Sequence, residues 1–166
     1  MPKPKYQLAD FMINVKNEYK DFVTTVHEML VQQGYKTKIE LTKKNGLQLF
    51  YREPEIKSTI GIILYFLFHD EKLMIRLYGK NYNKYLELLN DLPEIIIKQI
   101  EKSDQCKKLI NPKKCWTGCM GYDFYIKDKR YQKCLVNCFL LEVDLKSLPF
   151  LLELIKSESK ERLKSN

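Results

Sequence analysis

Apolar residues recur at spacings of three and four near the start of the chain, with polar and charged residues between them. Because an α-helix has about 3.6 residues per turn, this spacing places the apolar side chains on one face. The pattern predicts one amphipathic helix of about 25 residues that ends at Gly34, since glycine favours the position after a helix. The apolar positions are Leu8, Phe11, Met12, Val15, Tyr19, Phe22, Val23, Val26 and Leu30.

Short apolar segments separated by polar turns follow this helix, and they predict three β-hairpins. In the first hairpin, Asn45-Gly46 separates two such segments, and this dipeptide favours a tight hairpin turn. In the second, the segment from Ile60 to Phe68 is apolar throughout, which is typical of a strand covered on both faces. The six predicted strands span residues 35–41, 47–52, 59–68, 73–78, 122–126 and 131–143.

Two further regions have helical signals. A central helical segment begins near Asn81, and Pro93 starts its second helix, over residues 94–103. Ser147 begins a C-terminal helix, and residues 104–121 form a loop. We therefore expect an α+β fold with an antiparallel sheet of about six strands in three hairpins, packed against these three helical regions.

The length of 166 residues suits one domain, which we expect to span residues 1–166 with frayed ends at 1–6 and 157–166. The longest apolar segment is far too short to cross a membrane, and the basic N-terminus is not followed by the apolar stretch of a secretory signal. The sequence therefore predicts a soluble cytoplasmic protein without a membrane partner. Its oligomeric state cannot be derived from the sequence.

The formal net charge is +8, from 29 Lys and Arg residues against 21 Asp and Glu residues. Only Arg52, Arg76, Arg130 and Arg162 are arginine, although phosphate and base recognition favour the planar guanidinium group. One interpretation is a solvated lysine-rich surface that reflects the codon bias of an AT-rich genome. The other is a basic face that binds nucleic acid or an acidic protein.

All the cysteines lie in one short region of the chain, at positions 106, 115, 119, 134 and 138. Their spacing resembles a paired zinc motif but has three residues where zinc ribbons normally have two. If Cys134 and Cys138 lie on one strand, they are about 13 Å apart, which is too far for ligands of one metal ion. The predicted zinc ligands are therefore Cys106, Cys115, Cys119 and Cys134, and Cys138 is expected to be a small buried apolar residue.

Three interpretations of these cysteines are open. They form one structural zinc site that holds the loop against the adjacent strand, or they stay reduced and without metal, as is usual in the cytosol. Alternatively, Cys115 and Cys119 form a redox pair, because Lys107, Lys108 and nearby lysines would favour a thiolate.

The residues from Cys115 to Phe124, followed by Tyr131-Gln132-Lys133-Cys134, resemble small uncharacterised cysteine-containing proteins of low-GC Gram-positive bacteria. The likeness extends back through the segment from Cys106 to Ile110. The resemblance implies a shared fold and a bacterial source, and it implies no particular activity or mechanism.

The sequence contains no glycine-rich phosphate loop, no nucleophile elbow and no zinc-protease helix motif, so a catalytic role is disfavoured. The leading hypothesis is a non-enzymatic binding or regulatory module that contacts a protein or nucleic acid through a basic surface. The alternative hypothesis is a thiol-based redox enzyme or sensor that uses Cys115 and Cys119. The predicted contact residues are Lys107, Lys108, Lys113, Lys114 and Trp116.

Overall fold

The computed structural model describes residues 5–57, 59–111, 114–115 and 117–165, with only the backbone at Thr59. The chain divides into two compact units. Unit 1 comprises the residues up to Leu77 together with Glu142–Leu148, and unit 2 comprises Tyr78–Leu141 together with the residues from Pro149 onward. The sequence prediction of an α+β fold that contains an antiparallel sheet is confirmed.

The described strands are β1 (Lys36–Thr42), β2 (Gly46–Arg52), β3 (Ile62–His69), β4 (Lys72–Leu77), β5 (Tyr122–Ile126), β6 (Lys129–Lys133) and β7 (Leu140–Glu142). The described α-helices are α1 (Leu8–Met12), α2 (Asn17–Gln32), α3 (Leu86–Asn90), α4 (Glu94–Lys102), α5 (Lys107–Ile110) and α6 (Leu148–Lys164). The predicted central helical segment corresponds to a 3-10 turn at Tyr82–Lys84, followed by α3 and α4.

The larger sheet has five strands in the order β1-β2-β3-β4-β7, with antiparallel pairing from β1 through β4. β1 with β2 and β3 with β4 are the first two predicted hairpins. Beside β4, the Val143 N–H donates to the carbonyl of Leu73 at 2.9 Å, and Lys72 forms an ion pair with Glu142 at 2.9 Å. Because β1 stands at one end of the strand order, it forms one edge of this sheet.

The predicted N-terminal helix is interrupted, so the expectation of one continuous helix was wrong. The helical backbone stops after Met12 and resumes at Asn17, and Lys16 between them has an extended conformation with ψ 144°. The Asn14 side chain donates to the Asp10 carbonyl at 3.4 Å, which is the acceptor that a continuing helix would offer to the Asn14 backbone N–H. Val15, which lies within the break, is still buried, so the apolar spacing continues across it.

The core of unit 1 is formed by one face of α2 and the sheet. Phe22, Val26 and Leu30 of α2 are buried, as the helical spacing predicted. The Phe22 ring meets the edge of Phe66 at 6.1 Å between centroids, and Tyr51 meets the same ring at 6.4 Å. Such edge-to-face contacts add to the stabilisation from apolar burial.

The turn between β3 and β4 has an unusual backbone. Asp70 and Glu71 connect the paired residues His69 and Lys72, and their φ angles are 48° and 61°. This left-handed conformation suits the right-handed twist of a hairpin, but it is unfavourable by about 1–2 kcal/mol for a residue with a Cβ atom. The turn therefore has the geometry that Asn-Gly adopts easily, with two residues that adopt it poorly.

The third predicted hairpin is the pair β5 and β6, which forms a separate sheet of two strands in unit 2. The predicted single strand over 131–143 was wrong, because β6 ends at Lys133 and β7 begins at Leu140. Between them the Cys138 N–H donates to the Cys134 carbonyl at 3.0 Å, which is the bond of one helical turn. The sheet of about six strands is thus five strands in one sheet and two in another.

The C-terminal helix α6 continues to Lys164, through most of the residues 157–166 that were expected to fray. Glu158 and Arg162 are buried on this helix and form an ion pair at 2.7 Å. The Glu158 carboxylate also accepts hydrogen bonds from the Asn81 N–H at 3.0 Å and the Tyr85 hydroxyl at 2.8 Å. These partners from the start of unit 2 hold the charged end of α6 in a helix.

Within the described part of the chain, no helix has both the length and the apolar character needed to cross a bilayer.

Candidate functional site

The cysteine loop, which we define as residues 104–121, is attached to strand β6. Gln105 pairs with Lys133 in an antiparallel bridge, flanked by hydrogen bonds from the Cys106 N–H to Gln132 and from the Cys134 N–H to Asp104, both 2.9 Å. Since side chains alternate along a strand, Cys106 and Cys134 lie on the same face of this short ladder, in diagonal positions. The bridge therefore links the first predicted zinc ligand with the last.

Helix α5 follows directly, and Cys106 is the residue before its first turn. The Lys108 ammonium donates to the Thr117 carbonyl at 2.5 Å, which ties the later part of the loop to this helix. Gly121 has a φ of 66°, and a Cβ atom there would overlap the Cys106 sulfur and contact Leu109. Only glycine satisfies both the left-handed backbone and this close approach.

Cys115 and Cys119 are brought into contact by the loop. The Cys115 thiol lies close enough to Cys119 to influence the pKa of the Cys119 thiol. Burial raises the pKa of the Cys119 thiol, and the neighbouring Cys115 and Cys106 raise it further, against the lowering effect of the Gly121 N–H. Cys119 therefore favours the protonated form, and half-buried Cys115 is the more accessible thiol of the pair.

Cys134 and Cys138 do not lie on one strand, so the separation that excluded Cys138 from the predicted zinc site was wrong. They are instead joined by a helical turn, which rises only about 1.5 Å per residue. Cys138 is nevertheless fully buried, and burial moves the pKa of its thiol well above the usual range. The Cys138 thiol lies near Ser103 and Lys133. The Lys133 ammonium donates hydrogen bonds to the backbone carbonyls of Glu101 and Ser103. Cys138 thus behaves as the buried residue that the sequence suggested.

A metal site requires several ligands arranged around one point. In the ranges that the structure describes, no group of three or more His, Cys, Asp or Glu side chains is placed so as to hold a metal ion. Cys106, Cys115 and Cys119 are close enough for their thiols to influence one another, and Cys134 lies on the Cys106 face of the ladder. The four predicted ligands therefore come from one region of unit 2 without forming a coordination geometry.

The predicted contact residues differ in their surroundings. Lys107 and Lys114 are exposed and form no ion pair with any acidic residue in the described ranges. Lys108 is half-buried and holds the loop through Thr117. Lys113 and Trp116 lie outside the described residues. Two of the five predicted contact residues are thus exposed charges without an acidic partner among the described residues.

Sequence reasoning missed two apolar side chains of the same loop. Ile110, the last residue of α5, is 68% exposed, and Met120, between Cys119 and Gly121, is 81% exposed. No local pattern in the sequence indicates this exposure, because it depends on how the loop folds back onto α5. We call the exposed side chains of Lys107, Ile110, Lys114 and Met120 the loop surface.

No protein-family model, curated protein sequence or solved structure matches the chain.

Proposed function

We propose that the chain is a non-enzymatic binding or regulatory module that contacts an acidic protein segment through the loop surface. The observation that carries the proposal is the combination of Lys107 and Lys114, which have no acidic partner in the described ranges, with the exposed apolar side chains of Ile110 and Met120. Lysines without an acidic partner attract a negatively charged ligand, and exposed apolar side chains gain free energy when a partner removes them from water.

The apolar part of the surface favours a protein over a nucleic acid as the partner. Methionine has a flexible, polarizable side chain that adapts to different apolar partners, and it is enriched in protein interfaces. Base recognition relies mainly on arginine, whereas the two arginines of unit 2 are already paired with carboxylates of the chain. Arg130 donates two hydrogen bonds to Asp123, at 2.8 and 2.6 Å, and Arg162 is buried against Glu158.

The test compares partners of the wild-type chain with those of two charge-reversal variants. The first variant, Lys107→Glu with Lys114→Glu, changes the loop surface, and the matched control, Lys146→Glu with Lys160→Glu, changes two exposed lysines elsewhere. A protein captured by wild type and control but not by the loop variant is then purified and titrated against all three chains. We expect the loop variant to bind at least about tenfold more weakly, because two attractive charges become repulsive.

A third variant, Ile110→Ser with Met120→Ser, tests the apolar contribution without changing the charge. Equal affinity of wild type and both loop variants for the purified partner would refute the proposal. Tight binding of a short DNA duplex or single-stranded RNA that is lost in the Lys107→Glu, Lys114→Glu variant, with no protein partner, would replace it with a nucleic-acid module.

The contact between Cys115 and Cys119 favours a second candidate function, a peroxide-responsive thiol pair. The Cys115 thiolate would attack one oxygen of a hydroperoxide and release the alcohol or water, leaving a sulfenic acid. The Cys119 sulfur would then displace the hydroxyl group as water, so that one peroxide oxidises two thiols to one disulfide. Alkylation with iodoacetamide should label Cys115 before Cys119, and peroxide should protect both. Uniformly slow labelling of both thiols, unaffected by peroxide, would remove this candidate.

The four-cysteine zinc site remains a separate proposal, since it concerns how the loop is held and not what it binds. Its support is the common location of Cys106, Cys115 and Cys119 and the ladder that links Cys106 with Cys134.

A further inference from the structure

Strand β1 is an open edge of the larger sheet. It pairs with β2 on one side, and no strand in the described residues pairs with its other side. Most of its side chains are exposed, among them Leu41 at 61%. An edge strand presents unpaired N–H and C=O groups, which another strand can bind.

A groove of about 920 Å³ in unit 1 is lined by residues 37–42 of β1, from the face that carries Thr37, Ile39 and Leu41 as well as from the opposite one. Leu8 and the buried Leu49 also line this groove, so part of its surface is apolar. Because Ile39 and Leu41 are left partly uncovered, the edge offers side-chain contacts in addition to backbone hydrogen bonds.

The opposite face of β1 carries charges of both signs, at Lys38 and Glu40, which form an ion pair within the strand. We propose that β1 pairs in antiparallel orientation with β1 of a second copy of this chain, with the two Ile39 residues opposite each other. In this register Lys38 faces Glu40 of the second copy, and this charge pair occurs twice. The paired edges would then form one continuous sheet across two chains.

The charge pattern selects this register over its neighbours. When two identical strands pair in antiparallel orientation about a two-fold axis, one residue at the centre lies opposite its own copy in the second chain. If this centre moves by one residue from Ile39, either two Lys38 or two Glu40 residues lie opposite each other. A centre at Thr37 places Lys36 against Lys38 of the second copy. With Ile39 at the centre, Lys36 faces Thr42 and no two charges of the same sign are directly opposite. Opposite charges across a strand pair stabilise it, and like charges destabilise it.

Sedimentation equilibrium of the full chain at protein concentrations up to about 500 µM tests the proposal, since pairing of one edge strand buries little surface. We expect a reversible dimer that weakens at high salt, because its charge pairs are exposed. Glu40→Lys and Lys38→Glu should each weaken the dimer at least about tenfold, because both attractive pairs become repulsive. The control Asp21→Lys, with a charge change of the same size as Glu40→Lys on the exposed side of α2, should leave the dimer unchanged.

Mixing the two single variants gives the sharpest result. In a mixed dimer both lysines of the Glu40→Lys chain face glutamates of the Lys38→Glu chain, so a heterodimer should form although each variant alone is monomeric. Circular dichroism confirms that each variant is folded. A wild-type monomer throughout this range overturns the proposal and leaves the edge to a strand of another protein. A dimer that neither variant weakens also overturns it, because its interface would then lie elsewhere.

Discussion

The buried ion pair on helix α6 leads to a quantitative stability prediction. Glu158 is fully buried, and it accepts hydrogen bonds from Arg162, from Asn81 and from Tyr85. In the variant Arg162→Met the carboxylate keeps the last two donors but loses its counter-charge, and the Tyr78 carbonyl loses a donor at 2.7 Å. Removing one partner of a buried pair destabilises a protein by about 3–5 kcal/mol, and the remaining donors place this case near the lower limit.

Urea unfolding, followed by far-ultraviolet circular dichroism, measures this change. The matched control is Lys164→Met on the same helix, which removes an exposed ion pair with Glu161 and should change the free energy of unfolding by less than about 0.5 kcal/mol. In the double variant Glu158→Leu, Arg162→Met, the loss should be smaller than the sum of the two single losses, because no unpaired charge stays buried. Additive losses, or an Arg162→Met loss no larger than that of the control, would refute the reasoning.

Three further predictions concern the hairpin turn, a histidine and the cysteines. Asp70→Asn with Glu71→Gly should stabilise the protein by about 1 kcal/mol, because both residues have left-handed backbone angles; an unchanged or lower melting temperature would contradict this. Burial lowers the pKa of His27, so its contribution to stability is present above about pH 6.5 and is lost as the pH falls below that value. The urea midpoint of His27→Gln should therefore decline less than that of the wild type between about pH 7 and pH 5. Parallel plots of midpoint against pH for the two proteins would exclude this role. The zinc proposal predicts one zinc ion per chain in native mass spectrometry, removed by a chelator with loss of stability; no metal and a full count of reactive thiols would refute it.

The sequence predicted the elements whose determinants are local. Asn45-Gly46 specified the first hairpin, and the apolar spacing of Phe22, Val26 and Leu30 specified the buried face of α2. The break before α2 was missed because the apolar pattern continues across it: Val15 is buried although the helical backbone stops after Met12.

Features that depend on distant partners were not predictable. Residues 157–164 look like a solvated, charged end, and their helix is held by Asn81 and Tyr85, more than 70 positions earlier. Strand β6 ends where it leaves its pairing with Gln105, and the backbone from Cys134 to Cys138 then forms a turn in place of the predicted strand. In the candidate site, Cys115 lies close to Cys119, as their short separation along the chain allows. The exposure of Ile110 and Met120 depends on how the loop folds back onto α5, which no local pattern encodes.

The division of unit 1 along the chain has a consequence for synthesis on the ribosome. Its sheet needs Glu142 and the following Val143 beside β4. The ribosome, however, translates all of residues 78–141 after β4 and before Glu142. Until those residues emerge, the nascent chain carries a four-stranded sheet in which β4 is an unpaired edge, open to aggregation. A fragment that ends at Leu77 would keep this edge permanently, so a stable version of unit 1 requires the segment 142–148 to be joined to it.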